Sequence, residues 1–107
     1  MNLSQFEEKQ SEERQKSQKA IDDFENELIG YQKTFEAATD SIQELMRYYE
    51  LFDNSEVVNE YNHQIDLHDE RLKDSRHKLA EMNEEHQQLL SKQHRDYDAF
   101  LEKLHHS

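Results

Sequence analysis

The chain is 107 residues long, with 25 acidic against 13 basic side chains, a formal net charge of −12, one glycine, no proline and no cysteine. Nucleic acid and anionic membranes are not expected as partners because a phosphate surface repels such a chain, and disulfides and thiolate chemistry are excluded outright. Hydrophobic residues make up 33% and charged residues 36%, too little apolar material for a compact globule, so a single domain of long helices with thin seams is expected over residues 1–107.

The first signal is Ser4-Gln5-Phe6-Glu7, which reads as a capping box opening a helix. A polar section follows from Glu8 to Lys19. Here Gln10, Arg14 and Ser17 hold the seam positions, and Glu12 and Lys16 are spaced to pair. Such a section is helical only where something holds it, and disorder stays open for residues 7–19.

The organising stretch runs from Ile21 to Phe52. Apolar residues fall at Ile21, Phe24, Leu28, Tyr31, Phe35, Ala38, Ile42, Leu45, Tyr49 and Phe52, in alternating steps of three and four. That is the seven-residue pattern of a helix laying one stripe on a partner helix. Gly30 lies on the outer side of this helix, either as a tolerated defect or as a place where another chain packs closely. Thr39-Asp40-Ser41 with Glu44 resembles a second helix start, but the register does not shift there, so one continuous helix is expected over about 4–52.

Asp53-Asn54-Ser55 is the expected turn, with Asn54 closing the first helix in the left-handed conformation and Asp53 or Ser55 capping the next. The seam resumes at Val58, Tyr61, Ile65, His68, Leu72, Ser75, Leu79, Met82, His86 and Leu89, in a second helix over about 55–104. Past Leu89 it drifts to Leu90, Tyr97, Leu101 and Leu104, a stutter of the coiled-coil kind. Two such helices and one short turn predict an all-α, antiparallel, coiled-coil-like hairpin. In the simplest register Phe52 meets Val58, Tyr49 meets Tyr61, Leu45 meets Ile65, Phe35 meets Ser75 and Phe24 meets His86. Leu3 and Phe6 reach Phe100 and Leu104 and clamp the polar section.

One hairpin leaves Ile29, Met46, Tyr48, Leu51, Val57 and Leu67 outside its seam. Met46, Tyr48, Leu51 and Val57 crowd the turn end and are the expected partner-binding residues, since apolar clusters on a surface mark binding sites. The blander reading is that they lap over a thin core.

No catalytic constellation stands out, and no enzyme activity is expected. Two helices make no pocket in which a serine, histidine and aspartate converge. Of seven histidines, only the terminal neighbours lie close together, so no helical metal face is spaced correctly. Glu60 and His63 match the Glu-x-x-His element of di-iron bundles, and Asp74 with His77 repeats it with a shorter carboxylate. The heptad places Glu60 and His63 outside, so no metal or other cofactor is expected. His68 and His86 fall on the seam. There they read as polar residues that specify register, with a pH switch as the sharper alternative. Asp69 with Lys73 and Asp74 with Lys78 read as a solvated face.

In length, helix–turn–helix layout and acidity the chain resembles the small helical proteins of Gram-positive type VIIb secretion. These are the WXG-type proteins and, more closely, the helical partners encoded with LXG toxins. The chain has no tryptophan, and Asp53-Asn54-Ser55 stands where WXG proteins turn. Tyr49-Glu50-Leu51-Phe52-Asp53 fits the Tyr-x-x-x-Asp/Glu export pattern, whereas Tyr97 is followed by Leu101 at the matching position. The resemblance implies an adaptor that binds the helical domain of a toxin and targets or neutralises it. The other classes are a self-assembling coiled-coil structural protein and a metal-binding four-helix bundle formed by dimerisation. The expected partner is therefore another helical protein or a second copy. The expected location is the cytoplasm, or outside the cell without a cleaved signal, because residues 1–8 lack a basic start followed by an apolar stretch.

Overall fold

The computed structural model describes residues 1–106. The protein is an all-α helical hairpin of α1 (Leu3–Tyr48) and α2 (Ser55–His106). No described helix is long and apolar enough to cross a membrane. By their contacts the residues fall into two units: Met1–Phe24 with the stretch from Leu79 onward, and Glu25–Lys78.

α1 starts earlier than expected. Asn2, not Ser4, caps it: the Gln5 amide donates to Asn2 Oδ1 at 2.8 Å and the Asn2 amide to Gln5 Oε1 at 3.0 Å. This is a capping box built from amide side chains. The helix includes the polar section, and the first unit shows what holds it. Phe6 stacks on Phe100 with ring centroids 4.3 Å apart and rings within 2° of parallel. Gln10 Nε2 donates to the Gln93 carbonyl and Gln93 Nε2 to the Gln10 carbonyl, both at 2.9 Å. Ser17 and His86 Nδ1 lie 2.8 Å apart in a hydrogen bond, and Ile21 is buried beside them in the sequence of seam positions. The polar section is thus a run of paired polar layers closed by an aromatic stack, in which two helices satisfy each other's side chains.

The end of α1 differs most from expectation. The helix stops at Tyr48 rather than Phe52, and the connection spans 49–54 rather than 53–55. Glu50 takes the left-handed conformation, with φ 55°. Its amide donates to the Arg47 carbonyl at 3.3 Å, and the Leu51 amide to the Met46 carbonyl at 2.7 Å. These two bonds form a Schellman closure, in which the second residue past the cap returns to the last full turn. Asn54 therefore does not close α1. Its Oδ1 accepts from the Glu56 and Val57 amides at 3.1 and 3.2 Å, so it caps α2. A left-handed glutamate costs about 1 kcal/mol relative to glycine. Glu50→Gly is accordingly expected to raise the unfolding free energy by about 1 kcal/mol in urea denaturation; an unchanged or lowered value would show that the Glu50 side chain earns its place.

The earlier closure resets the register by one heptad. In the second unit Phe35 stacks on His68, not Ser75, with centroids 3.5 Å apart and rings within 5° of parallel. In the first unit His86 meets Ser17, not Phe24. The inward side of α1 also departs from the seven-residue stripe. From Ile21 the less exposed positions are Phe24, Leu28, Gln32, Phe35, Thr39, Gln43 and Met46, in steps of three, four and four. That is an eleven-residue repeat, close to the natural pitch of a straight helix. On a nearly straight helix a heptad stripe winds off the contact line, so Ile42, Leu45, Tyr49 and Phe52 are exposed rather than in the seam. Tyr31 sits at the margin, its hydroxyl 3.2 Å from His68 Nδ1. On α2 the expected positions Val58, Tyr61, Ile65, Leu72, Leu79, Met82 and Leu89 are buried or half-buried.

Candidate partner-binding surface

The four residues expected to bind a partner separate in the structure. Met46 is 3% exposed and belongs to the seam, contrary to expectation. The eleven-residue spacing turns it inward and Leu45 outward. Leu51 is half-buried, and its amide closes the Schellman motif over Met46. Tyr48 is 79% exposed, edge-on to the ring of Tyr49. Val57 is half-buried at the start of α2.

Met46 and Val57 nevertheless share one feature. With Ile42 and Tyr61 they line an open groove of about 360 Å³ between α1 and α2 in the second unit. Glu56, Glu60 and Gln64 form its rim. The groove exists because α1 places Ile42 outside the seam while α2 brings Tyr61 beneath it, held by the Gln43 amide at 2.7 Å from the phenol oxygen. Its floor is apolar and its edge acidic. Glu60, read from sequence as half of a di-iron element, instead accepts a hydrogen bond from Gln64 at 2.9 Å, and His63 is exposed. Among the described residues no three histidine or carboxylate side chains gather as metal ligands would.

A second, larger opening of about 480 Å³ lies in the first unit, lined by residues including Glu7, Arg14, Gln93 and Tyr97. Four of its polar side chains pair with one another. Arg14 donates to Gln93 Oε1 at 3.0 Å and Tyr97 to Glu7 Oε1 at 3.1 Å. The Tyr97 phenol is held above its ordinary pKa, chiefly because it donates to the Glu7 carboxylate. Gln93, the hub of this region, was not anticipated among the seam residues. Its only sequence signal is its place four residues before Tyr97 on the drifted stripe.

Comparison with protein families, with curated proteins and with solved structures returned no match.

Proposed function

We propose that this chain is a non-enzymatic helical adaptor that receives an amphipathic helix of another protein in the groove at the turn end of the hairpin. The observation that carries this reading is the apolar floor of Ile42, Met46, Val57 and Tyr61 under an acidic rim. Helix-in-groove recognition needs an apolar channel, and the rim charge selects the flanks of the incoming helix. The partner helix is apolar on one face and bears lysine or arginine beside it. The resemblance to the helical partners of LXG toxins supports the same reading and names a candidate: the helical domain of a toxin encoded nearby.

Coexpression with the products of adjacent reading frames tests it. The expected result is a complex of fixed stoichiometry that Val57→Asp abolishes while helicity by circular dichroism is retained. A complex indifferent to Val57→Asp, or none with any neighbouring helical product, would overturn the reading.

A further inference from the structure

α1 closes on a residue that resists the closure. Glu50 is left-handed at φ 55°, where helices ordinarily carry glycine, and Tyr49-Glu50-Leu51-Phe52 contains neither glycine nor proline. Nothing in that stretch opposes one more turn of helix except the closure itself. The cap of α2 is indifferent to the choice, because Asn54 accepts from the Glu56 and Val57 amides, which belong to α2.

The second unit carries the side chains for that extra turn. Of the inward residues of α1 there, Gln32, Thr39 and Gln43 are polar, and Met46 is apolar. The neighbouring Tyr31, Ala38, Ile42 and Leu45, with Tyr49 and Phe52 beyond the helix end, are largely apolar and all exposed. With Phe35 these six are spaced in alternating fours and threes, the stripe of a left-handed coiled coil.

We propose that the hairpin has a second register, one heptad on, in which α1 continues as a helix through Phe52 and α2 covers this stripe. The shift is about 10 Å along the helix. It sets Phe52 on Val58, Tyr49 on Tyr61, Leu45 on Ile65, Ile42 on His68 and Phe35 on Ser75. The α2 members of these pairs are already buried or half-buried, so α1 alone must turn to meet them. The first unit holds the observed register: Gln10 with Gln93, Ser17 with His86 and Phe6 with Phe100 are matched in it and in no other. Both helices are unbroken, so polar layers near one end work against an apolar stripe near the other. The groove belongs to the observed register, because Ile42 and Tyr61 enter the seam in the second. A helix bound in the groove and the second register therefore exclude each other.

Disulfide trapping in the purified full chain, which has no cysteine of its own, tests this with Leu45→Cys/Ile65→Cys. In the observed register Leu45 is exposed and lies about 10 Å along the helix from Ile65, beyond the span of about 7 Å between Cα atoms that a disulfide bridges. The expected result is a disulfide within the chain under mild oxidation. Adding Tyr49→Asp is expected to slow it about ten-fold or more, because the carboxylate enters the second seam unpaired. The unfolding free energy of the reduced chain should not change, because Tyr49 is 64% exposed in the observed register. Adding Glu50→Gly is expected to slow it about five-fold or more, by relaxing the left-handed closure. No disulfide within the chain, or one that either substitution leaves as fast, as simple fraying would give, would overturn the proposal. Trapping needs no partner, so its outcome is separate from that of groove binding.

Discussion

Met46→Ala is expected to lower the unfolding free energy by about 2–4 kcal/mol, the range for emptying a buried methionine site, whereas Tyr48→Ala should stay within about 0.5 kcal/mol. The two residues are neighbours in the last turn of α1 and look alike in sequence. The difference comes from position. Met46 is 3% exposed, between Gln43 in the seam and the Leu51 amide that returns to its carbonyl. Truncating it removes packing at the point where the Schellman closure and the start of α2 converge, and widens the groove that Met46 lines. Tyr48 is 79% exposed and meets the ring of Tyr49 edge-on. Equal losses for the two variants would show that α1 ends in a different rotation.

Gln93→Ala is expected to cost about 2 kcal/mol, from hydrogen bonds worth about 1 kcal/mol each and the partners left behind. Gln93 donates to the Gln10 carbonyl at 2.9 Å and to Glu13 Oε2 at 3.2 Å, and accepts from Arg14 at 3.0 Å. Gln10 answers with its own side chain on the Gln93 carbonyl. The layer is reciprocal, so removing either glutamine strands the other. The double variant Gln10→Ala/Gln93→Ala should therefore cost less than the two singles together, by about 1 kcal/mol of coupling. Additive losses would mean that the two residues act separately rather than as one layer. Among the described residues no buried side-chain nitrogen or oxygen lacks a hydrogen-bond partner, which is the condition under which such layers specify a structure rather than weaken it.

Both results turn on how much of this hairpin could be read from sequence. The polar seam residues Gln10, Arg14 and Ser17 were legible as positions but not as pairs, because a long amide or guanidinium side chain does not announce which carbonyl it will reach. The groove was legible only in half. Val57 and Met46 stood out as apolar residues near the turn, while Ile42 and Tyr61 were absorbed into an idealised stripe.

Two helices, their antiparallel order and the aromatic clamp of Phe6 on Phe100 were determined by the sequence itself. Heptad spacing on both sides of a single turn signal, with no proline and one glycine, admits little else. Three matters were decided only by tertiary structure. The end of α1 rests on backbone hydrogen bonds from Glu50 and Leu51, which almost any residue can donate. The register rests on that end, and a heptad seam cannot distinguish one alignment from another shifted by a full repeat. The inward face of α1 rests on the small mismatch between a seven-residue pattern and the natural helical pitch, which accumulates along the helix until Met46 is buried and Leu45 is left facing solvent.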